Sequence, residues 1–441
     1  MDMGEKEEGP GKAGKKSGRA EKKCSIRQGK AVGKVRAAHG RSIRMDRAFL
    51  EKAPKADLHL HLDGSLRIGT LLELSKEAGV KLPSWSEEGL KELVFKEKYK
   101  DLPDYLQGFG YTCAALQTPE SLERTAYELA LDNAAEGVRY IEVRYAPQQH
   151  IHEGFAMDEV VKAVATGLER GAKEINARPE VKEGKAMKFR YGILLCAMRA
   201  IFPGMGRYYE WLRGGMARAG MDEFVGTAAV EVARAAVALR DEGVPVVGLD
   251  LAGAENGFPA KWAKKAYQIA DRGMLGKTVH AGEAYGAESI WQALTACRAD
   301  RIGHGTWLLD AGKVQDEGIA DKEAFVRRLA DEIGTRGITL EVCPTSNLQT
   351  LPELADLGMH PLKKMLAAGL PVTICTDNRL VSRTSVTEEM WRVKEALGPS
   401  DAQMREMALQ GFRGAFAGPG GFAEKRAMVA EAEARWAALG A

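Results

Sequence analysis

Two histidines two residues apart, His59 and His61, sit in the run Lys55-Ala56-Asp57-Leu58-His59-Leu60-His61-Leu62-Asp63-Gly64-Ser65. In an extended, alternating segment such a pair projects from one face, so both imidazoles reach the same point. That point can be a metal ion, because imidazole nitrogen is a regular zinc ligand and a catalytic site adds further ligands while keeping a position open for water. A lone His-x-His reads equally well as two partly buried structural histidines. Three later stretches change the balance: His280-Ala281-Gly282-Glu283, Arg301-Ile302-Gly303-His304-Gly305 and Thr373-Ile374-Cys375-Thr376-Asp377-Asn378. Each sets an ionisable group just beyond a short apolar, β-prone run, which is where a barrel of parallel strands presents its chemistry. Of the eight histidines in the chain, His59, His61, His280 and His304 fall at these strand ends.

The elements that must carry these groups follow from periodicity. After a first strand through the histidine pair, 66–80 reads as a helix stopped at Gly79. An insert over 84–116, interrupted at Pro103 and Gly108, reads as an extra helical hairpin whose aromatic residues cover the mouth of the site. Pro119–Ala135 is a helix capped by Thr118, with proline at its first position. Strands follow at Val138–Tyr145, 189–196, 246–251, 277–280, 301–302, 338–343 and 372–375. Helices at 157–173, 223–240, 259–272, 322–335 and 362–368 separate them, and further helices from 386 onward break at Gly398-Pro399 and Gly418-Pro419-Gly420-Gly421. Eight strands alternating with helices over about 330 residues predict an α/β fold, a (β/α)8 TIM barrel with added helices after strand one and at the C-terminus.

With 441 residues, 45% of them hydrophobic and 28% charged, the chain has ample material for one large domain. The net charge of +2 hides an asymmetry, since residues 1–44 hold 13 Lys and Arg against 5 Asp and Glu, a net of +8 that leaves −6 for the remainder. Segment 1–44 has almost no large apolar residues and is expected to be a disordered basic tail, with Met45 an alternative start; 45–441 is expected to form the barrel domain. The domain carries no basic footprint, so nucleic acid is not an expected partner. No apolar run suits a signal peptide or a membrane span, and a cytoplasmic protein is expected. The six cysteines form no C-x-x-C pair, which suits reduced thiols. That pattern also excludes the zinc deaminases that carry a P-C-x-x-C signature.

Taken together, Leu58-His59-Leu60-His61-Leu62-Asp63-Gly64, Asp250-Leu251-Ala252-Gly253, His280-Ala281-Gly282-Glu283, Arg301-Ile302-Gly303-His304-Gly305, Cys343-Pro344-Thr345-Ser346-Asn347 and Thr376-Asp377 resemble the adenosine deaminase family of the metal-dependent amidohydrolases, in its bacterial-type branch. The resemblance runs from about Ala53 to the helices after Thr384. It implies a (β/α)8 fold, one zinc ion per chain, and hydrolysis of an exocyclic purine amine. The ligand set it implies is His59, His61, His280 and Asp377, three nitrogens and one oxygen, which suit zinc.

On the same resemblance Glu283 delivers a proton to the purine ring and needs a raised pKa to hold it. His304 takes a proton from the attacking water or steadies it. Gly253 meets purine N3 through its backbone, and His61 and Asp63 serve the ribose end. Asn378 replaces an aspartate found in many members at the purine N7 contact, and its amide can donate without being protonated. Ser346 and Asn347 are expected to order the loop after strand seven, with a turn role alone as the alternative. The substrate is expected to be a small purine nucleoside, adenosine and its 2′-deoxy form first. Adenine, an aminofutalosine-type nucleoside or an N6-substituted adenosine are alternatives, and a non-catalytic binding protein on the same fold is a further one. Strand four ends without the bridging lysine of two-metal relatives. Nothing in the sequence sets an oligomeric state.

Overall fold

Hydrophobic runs that are buried on both faces become strands of a parallel barrel in the computed structural model, which describes residues 45–416 and 418–440. The expected tail over 1–44 lies outside the described residues. The strands are β1 (Lys55–His61), β2 (Val138–Tyr145), β3 (Arg190–Met198), β4 (Val246–Ala252), β5 (Gly276–Lys277), β6 (His280–Ala281), β7 (Arg301–His304), β8 (Thr339–Val342) and β9 (Val372–Ile374). Every neighbouring pair is parallel, in two arcs, β1-β2-β3-β4-β5 and β6-β7-β8-β9.

The expected fifth strand over 277–280 is thus split into β5 and β6. Its first half pairs with β4 and its second with β7, and Thr278 N–H still reaches Leu249 O at 3.0 Å while Val279 O accepts from Gly303 N at 2.9 Å. The ring closes where Leu60 bridges Asp377, with His61 N donating to Asp377 O and Asp377 N to His59 O, both at 2.8 Å. This is the expected eight-position barrel, and closure itself sets His59, His61 and Asp377 side by side.

Helix Pro119–Ala135 and strand β2 keep their expected bounds, and Thr118 caps the helix by accepting from Ser121 N at 3.2 Å. The insert forms helices Glu87–Leu93 and Leu102–Ala115. Pro103 and Gly108 do not interrupt it: Pro103 lies in the first turn, where no N–H is needed, and Gly108 lets the helix approach Phe95, since a Cβ there would stand 3.3 Å from its ring. Five helices were not foreseen, Arg47–Lys52, Pro179–Lys182, Arg207–Gly215, Ala287–Thr295 and Pro344–Thr350. Helix Asp401–Gly414 closes the far end of the barrel, with Gly411 against Ala56 and Thr373. No helix among the described residues is long and apolar enough to cross a membrane.

Candidate active site

At the C-terminal ends of β1, β6 and β9, one donor atom each from His59, His61, His280 and Asp377 lies within 4.8 Å of the others. His280 Nε2 stands 3.0 Å from His59 Nε2 and 3.2 Å from His61 Nε2, and Asp377 Oδ1 lies 3.5 and 3.4 Å from the same two atoms. His59 Nδ1 is 2.9 Å from the Glu341 carboxylate and His280 Nδ1 is 3.0 Å from that of Asp250. An ionised carboxylate only accepts, so each Nδ1 carries the proton and each of these Nε2 atoms presents a lone pair. Lone pairs facing each other at this distance repel unless a cation sits between them. A tetrahedral ion at about 2.0–2.1 Å from each nitrogen separates its ligands by roughly 3.3 Å, so the donor set fits zinc. Burial opposes the charge on Asp377, but His59, His61 and His304 hold its carboxyl far below the ordinary range.

The imidazoles are fixed from beneath. Arg144, fully buried in β2, donates to Asp250 Oδ2 at 3.1 Å and to Glu341 Oε2 at 2.8 Å. Arg301 Nε donates to Glu341 Oε1 at 2.6 Å, Thr278 Oγ1 reaches the same oxygen at 3.0 Å, and Arg301 also pairs with Glu142. Burial would push Glu341 and Asp250 up, yet Arg144 and the imidazoles keep both well below the usual carboxylate range. Ion pairs at this depth hold only when every lone pair is satisfied, and here they orient the ligands. Sequence reasoning followed the histidines and passed over Arg144, Glu142 and Glu341. The signal was there: charges at alternate positions in strands otherwise buried on both faces.

Glu283 and His304 join the group. Glu283 is buried on the cavity wall, its Oε2 3.7 Å from His304 Nε2, and burial first, then the Asp377 charge, pushes its carboxyl up to about 8. The loop that carries it is pinned by Glu255, a residue not singled out from sequence, which accepts from Gly282 N and Ala284 N at 2.7 Å and Tyr285 N at 3.0 Å. His304 and Asp377 both adopt left-handed backbone, φ 64° and 61°, strain of the kind found at functional sites.

A chain of donors fixes the His304 tautomer. Leu362 N–H can only donate, so His360 Nδ1 accepts at 3.0 Å and its Nε2–H donates to Asn347 Oδ1 at 3.2 Å. Asn347 Nδ2 then donates to His304 Nδ1 at 3.2 Å. Burial holds both histidines neutral, His360 pushed down to about 4 and His304 well below its ordinary value, so His304 carries its proton on Nε2. Ser346 Oγ donates to Asp377 Oδ2 at 2.6 Å. Where a loop was expected after strand seven, Ser346 and Asn347 lie on helix Pro344–Thr350 and hold Asp377 and His304.

A cavity of about 910 Å³ opens over these groups, and its lining includes His61, Asp63, Gly253, Glu283, His304, Asp377 and Asn378, every remaining expected site residue. Gly253 has φ 99°, and a Cβ would lie 3.0 Å from Met198 Cε, so only glycine leaves its backbone accessible there. Asp63 Oδ1 is buried without a hydrogen-bond partner among the described residues. Asn378 Nδ2 gives one N–H to Tyr105 Oη at 2.8 Å, keeping the second free, while its Oδ1 packs on Gly64 so closely that a Cβ there would sit 1.8 Å from it. The outer wall comes from helix Leu102–Ala115 and from residues Phe202 to Arg207.

Such a barrel, gathering three imidazoles, a carboxylate and a proton-holding glutamic acid at its C-terminal strand ends, defines a metal-dependent amidohydrolase. A family model described as adenosine deaminase matches residues 54–202 and 219–433. An adenosine deaminase of Mycobacterium marinum is 35% identical over 369 residues, 83% of this chain and 91% of that protein. Adenosine deaminase 1 of Streptomyces coelicolor is 37% identical over 383 residues, 86% of each. The chain belongs to the adenosine deaminase family. Among solved structures, an adenine deaminase from Arthrobacter aurescens superposes with a TM-score of 0.67 at 24% identity, covering 86% of this chain and 98% of that one, which shows the shared fold.

Proposed function

We propose that the protein deaminates adenosine, and 2′-deoxyadenosine, to the 6-oxopurine nucleoside and ammonia, with one zinc ion per chain held by His59, His61, His280 and Asp377. The observation that carries this reading is the convergence of three Nε2 atoms and one carboxylate, in a chain of this family, beside a glutamic acid whose pKa is raised to about 8. Zinc bound there supplies the Lewis acidity that brings the pKa of a water towards 7. Glu283 does what an ordinary carboxylate cannot: protonated at neutral pH, it delivers its proton to N1 as water adds at C6, which makes loss of ring aromaticity affordable. Its carboxylate then takes up the protons that the added water gives up, passing one to the departing amine and keeping the other, while the first proton stays on N1 of the 6-oxopurine.

His304 acts through Nε2–H. With its Nδ1 already accepting from Asn347, it donates to the attacking oxygen and steadies it, so of its two expected roles the donor role is the one its surroundings favour. The ring is placed by the Gly253 backbone at N3 and by the free Asn378 N–H at N7, and the ribose hydroxyls meet His61 and the unpartnered Asp63 oxygen. Among the lining residues Arg207, at the rim, is the single Lys or Arg, so a nucleoside suits the cavity better than a nucleotide. A cytoplasmic, reducing setting accords with five free cysteines among the described residues.

The test is the absorbance loss of adenosine, run beside adenine, N6-methyladenosine and an aminofutalosine-type nucleoside, before and after chelation and zinc return. Turnover of adenosine ahead of the others, lost and restored with the metal, is expected. A protein inert toward every 6-aminopurine, or indifferent to chelation, overturns the reading.

A further inference from the structure

Three side chains outside the zinc ligand set form a second donor cluster: one ligand atom each from Asp63, Cys113 and His150 lies within 4.8 Å of the others. They come from the loop after β1, from helix Leu102–Ala115 and from the turn after β2. Cys113 Sγ is 3.9 Å from Asp63 Oδ2 and 3.5 Å from Gln149 Oε1. His150 Nδ1–H donates to Leu116 O at 2.7 Å, which leaves Nε2 as the nitrogen with a lone pair. That atom is fully buried and has no hydrogen-bond partner among the described residues, and neither has Asp63 Oδ1.

We propose that Asp63, Cys113 and His150 form a second cation site, selective for soft divalent ions such as Zn²⁺ and Cd²⁺, whose occupation inhibits the enzyme. A thiolate, an imidazole and a carboxylate make a set that favours soft or borderline ions over Mg²⁺ or Ca²⁺. The imidazole is prepared in the manner of a structural ligand, its Nδ1–H held by a carbonyl so that Nε2 faces the ion. Burial pushes His150 down to about 4, so it stays neutral and free to bind at physiological pH. Burial and the neighbouring Asp63 charge hold the Cys113 thiol up, so binding displaces its proton to solvent and places thiolate and carboxylate against the two positive charges of the ion. Asp63 and Cys113 both line the main cavity, which gives the ion a way in.

Inhibition follows because the ion occupies the Asp63 carboxylate that the ribose end would use. This consequence rests on the substrate reading above, whereas the binding itself does not. The zinc-loaded enzyme is titrated with Cd²⁺, reading the ultraviolet thiolate-to-cadmium band, bound metal per chain and the apparent KM for adenosine. Expected are a second metal equivalent, a band of one-thiolate size and a rise in KM. Cys113→Ser and His150→Gln, the latter keeping every thiol, should each lose the band and weaken Cd²⁺ by at least roughly 100-fold, and His150→Gln, at a position that does not line the cavity, should keep native activity without cadmium. Should His150→Gln fail to fold, Cys113→Ser carries the test alone. One metal equivalent with no band, or a band that survives Cys113→Ser, overturns the site; a band with no change in KM upholds the site and removes Asp63 from ribose binding.

Discussion

The floor of the cavity and its mouth are built on opposite terms. At the floor, Arg144, Asp250, Glu341 and His59 are fully buried, every one is tied to a neighbour on another strand, and the family model runs through all of them. At the mouth, Phe202 is 49% exposed and Trp211 52% exposed, and residues 203–218 fall in the gap of that model. The chemistry needs donor atoms held to tenths of an ångström, which buried strands can do. A rim needs only to exclude water and admit a ligand, and many sequences do that.

If the floor is a device for holding a metal, removing a ligand has the largest effect in the molecule. His280→Ala should bring bound zinc and activity to background together, read by metal analysis and turnover. Activity kept without metal would break the comparison at its root. Glu283→Gln comes next, retaining zinc while kcat/KM falls by roughly 10²–10⁴-fold, because the amide keeps the shape without the proton.

The same carboxyl sets a pH signature. Its folded value of about 8 exceeds the ordinary 4.5, so the folded state holds the proton more tightly than the unfolded chain. The stability this contributes is complete below 4.5 and lost as pH rises through about 8. Native activity should decline above that pH, and melting temperatures from pH 5 to 9 should fall more steeply for the native protein than for Glu283→Gln. Parallel slopes would place the proton elsewhere.

Glu341→Gln tests the layer beneath. It strips charge from the partner of Arg144, Arg301 and His59 at once. A broken buried pair costs about 3–5 kcal/mol, and zinc affinity should weaken by roughly 10–100-fold. Unchanged melting with weakened zinc would make Glu341 a tuner of His59 alone and not a strut of the barrel.

How far this division could be read in advance follows from where the information lies. Helix Pro119–Ala135 is written locally, in a threonine cap, a proline and an apolar stripe, and its bounds match the expectation. The convergence of His59, His61, His280 and Asp377 too was legible, since histidine pairs and strand-end motifs have few other uses. Strand five was taken as one run over 277–280, because a change of partner from β4 to β7 leaves no local mark. Glu255 escaped for the same reason: its work is to accept three N–H groups from a loop some thirty residues away. Helix Arg207–Gly215 starts after Gly206 with no capping side chain to announce it, ends in Arg213-Gly214-Gly215, and buries Tyr209 alone.

Asn347 sharpens the boundary between the two regions, as it lies on a helix where the sequence suggested a loop, yet serves the floor. Asn347→Leu keeps the branched shape and removes both the donor to His304 and the acceptor for His360. It should lower kcat about tenfold, 1.4 kcal/mol in the barrier, with KM little changed. A rise in KM alone would return Asn347 to a structural role.

At the mouth the expected effect is smallest, and that smallness is the point. Trp211 stands on helix Arg207–Gly215, half exposed, outside the part of the chain that the family model matches, and is not among the residues lining the cavity. Trp211→Ala removes a large apolar surface that folding has only half withdrawn from water, so stability should move by less than about 0.5 kcal/mol and kcat should not move. Phe202 differs, since it lines the cavity and meets Phe258 edge to face at 5.8 Å. Truncating it widens the rim and should raise KM for adenosine while sparing kcat, because the reacting atoms are held from below. If Phe202→Ala instead lowered kcat with KM unchanged, the rim would be taking part in positioning the reacting ring, and the separation of floor from mouth would fail at that residue.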